Sequence, residues 1–303
     1  MADTENLVCD KIVGTLKKPN IGTCHVVPLT KSFKYNKDDI LYAVNIIFKN
    51  FDIEITISSH QPVFYDQLFN NFLYLYEFIM LLLGYFPDIN TLYFLNSNIK
   101  NNSTLNEKSK ISQESLLRCY SSFIDIKKNC TALIDFSSFN IGKAFTNWII
   151  FKNKYSFQHK LYLYTTSNME FLIDIRLALL SQIFEPLFEH IVNEKFIENG
   201  KEKTTFKKVL EKTISKYCEL IFKLEEDNST LNSIIDKIKA NRNQIFHIAP
   251  KPNKVPSSDE YLCYFHKINL LYRHALLDKL EIDLNIYRDK IIELTSRINS
   301  ILN

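Results

Sequence analysis

Glycine is scarce in this chain: 5 residues in 303, at positions far apart from one another. A loop that cradles phosphate with backbone N–H groups needs several glycines in a short span, so nucleotide binding by that route is excluded. Proline is also sparse, at 8, and hydrophobic content is 46%. This composition describes an ordered, core-building protein and excludes a disordered one. Strong charge is lacking too. A net charge of +3 provides no global basic field, so any RNA contact has to come from local patches.

Organised cysteine is missing as well. The 6 cysteines are scattered at 9, 24, 119, 130, 218 and 263, behind an acidic and polar opening, MADTENLVCDK, that is no secretory leader. Free thiols and a cytoplasmic location are expected. Cys263 and His266 offer two zinc ligands at i, i+3, but a structural zinc takes four and no second pair accompanies them. No metal and no cofactor are therefore expected. The one candidate for a membrane span, FLYLYEFIMLLLGYF at 72–86, falls short of the ~20 apolar residues required and carries Glu77. It reads as a buried core helix, and no membrane partner is expected.

The chain is long enough for two domains. The first hundred residues read as strands at 11–16, 24–29, 40–48 and 52–59. A helix at 66–85 follows, stopped by Gly84 and Pro87, and then a strand at 91–95. Residues 96–112 are polar and rich in Asn and Lys, as in an exposed loop. A helix at 114–127 and a strand at 131–136 are expected next. From Thr166 onward the pattern is helical. Ser167 and Asn168 can cap a long helix reaching 196, kinked at Pro186. Helices at 206–224, 231–249, 260–280 and 284–302 complete an antiparallel bundle. The fold class is α+β: a mixed, strand-rich N-terminal domain (1–164) followed by an all-α bundle (165–303).

Late in the third bundle helix stands Arg242-Asn243-Gln244-Ile245-Phe246-His247. Arginine offers a permanently charged planar fork for phosphate, and histidine can move a proton near neutral pH. On a helical wheel Arg242 falls within an apolar stripe formed by Leu231, Ile235, Ile238, Ile245 and Ala249. Asp236, Asn243 and His247 occupy another face. Five residues of ideal helix set Arg242 and His247 about 140° apart. From one straight helix the two do not aim at one point. Either the helix ends near Phe246 and lets His247 swing round, or a second copy of the helix supplies the missing groups across a two-fold axis. Lys208, Lys212 and Lys216 recur at i+4 along the second helix. They form a basic strip along one face, as a solvated face does. The plentiful Tyr and Phe (16 and 23) fall mostly at core spacings and give no sign of base stacking.

The Arg-x4-His spacing with asparagine after the arginine resembles the R-N-x-x-x-H motif of the Apea-like HEPN ribonucleases. The resemblance extends over about 165–303. A leucine-rich helix, Leu270-Leu271-Tyr272-Arg273-His274-Ala275-Leu276-Leu277, lies downstream. Upstream, Phe184-Glu185-Pro186-Leu187-Phe188-Glu189 looks like part of the family's opening helix, which often carries an acidic residue near the site. The strand-rich front with Gly14-Thr15-Leu16 and the helix around Tyr76-Glu77 looks like an ApeA-type N-terminal region.

The resemblance implies an all-α HEPN-type helical bundle working as a homodimer, and metal-independent endoribonuclease activity driven by the ribose 2′-OH. In that scheme His247 transfers the proton, Arg242 holds the scissile phosphate and Asn243 orients either one. Glu185 and Asp236 are the candidate acidic partners, and Lys208, Lys212 and Lys216 the candidate RNA contacts. The implied biology is antiphage defence by abortive infection, in which the toxin is silent until the N-terminal domain senses a phage-derived or cellular trigger. A reading from another class is a non-catalytic HEPN-like binding or regulatory module that keeps the bundle as a dimerisation platform.

Overall fold

The structure is a computed structural model and describes residues 7–17, 29–49, 52–97, 103–120, 133–134, 136–167, 171–192, 197–198, 201–202, 205–222, 228–247 and 255–302. The chain divides into two compact units, Met1–Ile149 and Ile150–Asn303. Residues 150–164, placed above with the first domain, therefore belong to the second unit.

In the first unit, β1 (Val8–Lys17), β2 (Leu29–Lys37), β3 (Ile40–Phe48), β4 (Asp52–Phe64) and β5 (Asp88–Leu95) form one antiparallel sheet in the order β2-β3-β4-β1-β5. Alternation sets the buried face: Ile40, Tyr42, Val44, Ile46 and Phe48 of β3 point inward, as do Ile53, Ile55 and Ile57 of β4. Most of the expected strand at 24–29 lies outside the described residues. The helix expected at 66–85 is α1 (Tyr65–Leu83), and its buried residues include Leu68, Phe72, Leu75, Ile79 and Leu82. Gly84 ends it in the left-handed region at φ 77°, donating its N–H to the Met80 carbonyl at 2.6 Å.

Gly14 of β1 lies under that helix. A Cβ there would sit 2.4 Å from Phe72 Cε2, so the close approach of α1 to the sheet depends on the missing side chain. Gly14→Ala is expected to cost about 1–3 kcal/mol, as overpacking of a core does. Thermal denaturation checks this, and Phe72→Leu in the same chain should recover part of the loss.

Two expectations fail in this unit. Residues 103–112 are not loop but the first turns of α2 (Ser103–Tyr120), which packs on β5. Its buried positions are Leu105, Ser109 and Ser112, and small polar residues there hid the periodicity. Ser109 Oγ accepts the Phe94 N–H at 3.0 Å and donates to the Leu105 carbonyl at 2.8 Å, so a serine makes the contact that an apolar residue would announce. The strand expected at 131–136 does not form at its described residues, 133, 134 and 136. Leu133, Ile134 and Phe136 are buried nonetheless, which explains the apolar signal. Next, α3 (Ile141–Lys154) crosses the point of division. Within the first unit its Trp148 is fully buried and donates to the Tyr74 carbonyl at 2.8 Å.

The second unit comprises α4 (Ser156–Ser167), α5 (Ile173–Gln182), α6 (Phe184–Val192), the short pair β6 (Ile197–Glu198) and β7 (Lys201–Glu202), α7 (Phe206–Ile221), α8 (Asn228–His247), α9 (Ser258–Lys279), a 3-10 turn at Leu284–Ile286 and α10 (Arg288–Asn299). The sequence pattern implied one long helix here, but it is two. The break falls at Ile183, ahead of Pro186 rather than at it. Proline lacks an N–H and clashes with the carbonyl four residues earlier, which is that of Gln182, the last residue of α5. Pro186 then occupies the first turn of α6, where a missing N–H costs little.

The central helix α9 is buried nearly all round, including Phe265, Ile268, Leu271, Tyr272 and Leu276. Its start is fixed by a capping box in which Ser257 and Glu260 exchange hydrogen bonds at 3.3 and 2.8 Å. Glu260 also takes a hydrogen bond from Lys237 and one from Tyr264 Oη at 3.0 Å, tying α8 to α9. Asn241, 1% exposed, donates to the Asp174 carbonyl at 2.9 Å and ties α8 to α5. These two tethers hold the helix that carries the motif.

Burial pushes the imidazoles of His266 and His274 down to about 4, and that of His159 well below its ordinary value. All three are neutral in the folded state at neutral pH, whereas the unfolded chain protonates them near 6.5. Stability is therefore intact above about pH 6.5 and falls as pH drops toward 4, by about 1.4 kcal/mol per group per pH unit. The urea midpoint of helix unfolding is expected to decline already between pH 6.5 and 5, above the carboxylate range. A flat profile there would contradict the burial of these rings.

Candidate functional site

The residues that could do chemistry gather where the C-terminal half of α8 meets the α5–α6 break. Packing of α8 on α5 sets Arg242 opposite Gln182, and the Pro186-driven break brings Glu185 to the same side. Arg242 Nε donates to Gln182 Oε1 at 2.8 Å, and Nη2 donates to Glu185 Oε2 at 3.3 Å. Gln182 Nε2 in turn donates to Glu185 Oε2, closing a small ring of polar contacts. On the other edge of the guanidinium, Nη1 donates to Asn243 Oδ1 at 3.2 Å and to His247 Nε2 at 3.3 Å.

A guanidinium only donates, so His247 Nε2 is the acceptor in this contact. The Arg242 side chain is 18% exposed and Glu185 30%, which makes a half-buried pair with a watery edge. His247 is the last residue of α8 and is exposed. The guanidinium also lies over two aromatic rings, Phe206 at 5.2 Å and Phe246 at 5.7 Å from their centroids.

Arg242 and His247 thus meet within one chain. Their backbone directions diverge as the wheel requires, but the long arginine side chain leans toward the end of the helix. Neither an early helix stop nor a second copy of α8 is needed for the meeting, because α8 runs through His247. The apolar stripe of α8 holds at Ile235 and Ile238, both buried. Arg242 sits within that stripe at the expense of a carboxylate, an amide and two rings gathered around it.

Of the two candidate acidic partners, Glu185 reaches the arginine and Asp236 does not. Asp236 accepts an ion pair from Lys207 at 2.7 Å, with Glu211 near the same ammonium at 3.7 Å. Asp236 lies more than a full helical turn before Arg242, and Lys207 of α7 reaches it first. The lysine strip is also not uniform. Lys216 donates to the Ile191 carbonyl at 2.8 Å and lies 3.7 Å from Asp278, so it serves the end of α6. Lys208 is half-buried and Lys212 exposed on α7, the helix whose first residue, Phe206, supports Arg242.

Cys263 is buried and His266 half-buried, and among the described residues no group of three His, Cys, Asp or Glu side chains is placed to hold a metal ion. No described helix is long and apolar enough to cross a membrane, and α1 is a core helix of the first unit. Sequence reasoning passed over Gln182, Phe206 and Phe246. A signal for Gln182 existed: it stands four residues before Pro186, at the position where a helix must end, and three before the acidic candidate. Compared with protein-family models, curated proteins and solved structures, the chain matches none.

Proposed function

We propose that this chain is a metal-independent endoribonuclease of the HEPN class, acting as a cytoplasmic homodimer in antiphage abortive infection. The observation that carries the reading is the contact between Arg242 and His247 at an exposed helix end, with Asn243 beside them and Glu185 behind. The resemblance of the R-N-x-x-x-H segment supplies the reaction class.

In the proposed reaction the RNA phosphate draws Arg242 Nη1 onto its non-bridging oxygens, which releases His247 Nε2. That nitrogen removes the proton from the adjacent ribose 2′-OH, and the 2′-oxygen attacks phosphorus. The P–O5′ bond breaks, water protonates the departing oxygen, and His247 gives its proton back to solvent, leaving a 2′,3′-cyclic phosphate and a 5′-hydroxyl. General acid–base help and preorganised positive charge each lower such a barrier by several kcal/mol. Asn243 Oδ1 holds the guanidinium edge, and Glu185 with Gln182 keeps the fork from rotating. Lys208 and Lys212, on the helix that also carries Phe206, are the proposed contacts to the RNA backbone. The sheet-bearing first unit is the proposed sensor or restraint for a phage-derived or cellular trigger.

A second reading has its own observation. Arg242 is already tied to Glu185 and Gln182, as in a structural pair of a non-catalytic binding or dimerisation module. The exposure of His247 leaves its imidazole open to a substrate, as catalysis requires, while an exposed histidine at a helix end beside a structural Arg242–Glu185 pair also fits the non-catalytic module. Incubation of the purified protein with RNA in EDTA separates the two. Fragments ending in 2′,3′-cyclic phosphate are expected, and intact RNA under activating conditions that kill cells would refute cleavage.

A further inference from the structure

Phe246 is one residue before the exposed histidine, and it is itself 41% exposed although it is a large aromatic. It lies one helical turn after Arg242, so the two share a face of α8. The guanidinium is flanked by two rings of different status. Phe206 is 6% exposed and buried, while Phe246 is open to solvent. The guanidinium carbon therefore lies near one buried ring and one open ring, and the open ring is next in sequence to His247.

We propose that Phe246 is a stacking platform for an unpaired nucleobase of the RNA strand, next to the phosphate held by Arg242. The guanidinium 5.7 Å from the ring centroid restricts the ring's orientation, and the exposed part of Phe246 is apolar and aromatic, as base stacking requires. Every base has a π-face, so the platform accepts any sequence but only nucleotides that are not enclosed in a duplex. It thereby confers a preference for single-stranded RNA, loops or ends. This inference rests on reading the cluster as an RNA site, yet it does not require that the site cleave.

The test uses the full chain and a labelled single-stranded 2′-O-methyl oligoribonucleotide of mixed sequence, which cannot undergo 2′-OH attack, alone and annealed to its complement. Phe246→Leu keeps apolar bulk over Arg242 but has no π-face. It should weaken single-strand binding roughly tenfold and leave duplex binding unchanged. Phe246→Trp should restore single-strand binding, which a merely structural role would not predict. A 2-aminopurine placed in the strand should be quenched by the native protein and less so by the leucine variant. Equal single-strand affinity of native and Phe246→Leu protein overturns the proposal even if the native protein cleaves RNA. Binding lost in the leucine variant and regained in the tryptophan variant sustains it even if no cleavage is found. Failure of the native protein to bind the strand overturns both readings.

Discussion

Alanine at either Arg242 or His247 is expected to lower RNA cleavage by about a hundredfold to ten-thousandfold while the helical unit stays folded. His247 stands exposed at the end of α8 and anchors no core, so its removal takes away the proposed proton acceptor and little else. Arg242 is more embedded. Its loss strands Glu185 against Gln182, but Glu185 remains partly open to water and can be hydrated. Phe206 stays buried in either case. The fold should therefore survive both changes, which circular dichroism melts would verify before activity is compared.

Arg242→Lys sharpens the test. Lysine keeps the charge but cannot donate through Nε to Gln182 while also addressing Glu185, Asn243 and His247. It should therefore fail nearly as badly as alanine. Cell toxicity should fall in parallel with cleavage. Full activity in either alanine variant, or strict dependence on Mg²⁺, would sink the mechanism.

Much of this arrangement could be read from residue order, and the failures have physical causes. The α1 stop at Gly84 and the strands over 40–48 and 52–59 follow from local rules, and the structure keeps them. The start of α2 escaped because serines, not apolar residues, face β5. The split between α5 and α6 escaped because a proline acts on the carbonyl four residues earlier, so the break is displaced from the residue that causes it. The candidate site shows the same limit. Arg242, Asn243 and His247 are adjacent in sequence, and their types alone point to phosphate chemistry. A wheel places Cα directions and not side-chain ends, so it set the two functional groups apart when a long side chain brings them to 3.3 Å. Gln182 and Phe206 lie far from the motif in sequence, and only helix packing brings them to it.

Mixing chains that carry Arg242→Ala with chains that carry His247→Ala is expected to leave RNA cleavage at the level of the single variants. In the proposed site both groups come from one α8, where Arg242 Nη1 and His247 Nε2 lie 3.3 Å apart. In a heterodimer of the two variants, one site then lacks the arginine and the other lacks the histidine, and neither is complete. If sites instead drew Arg242 from one chain and His247 from the other, half of the heterodimer's sites would regain both groups and activity would return. Two affinity tags isolate the heterodimer, so that surviving homodimers do not obscure the result. A native chain paired with a doubly substituted chain provides the complementary measurement. It should keep roughly half the native activity under the one-chain arrangement and lose all of it if every site is shared. Restored cleavage in the first mixture would show that the contact between Arg242 and His247 is exchanged for one across the two-fold axis when RNA binds. Full-rate cleavage by a chain that remains monomeric at working concentration would remove the dimer from the mechanism altogether.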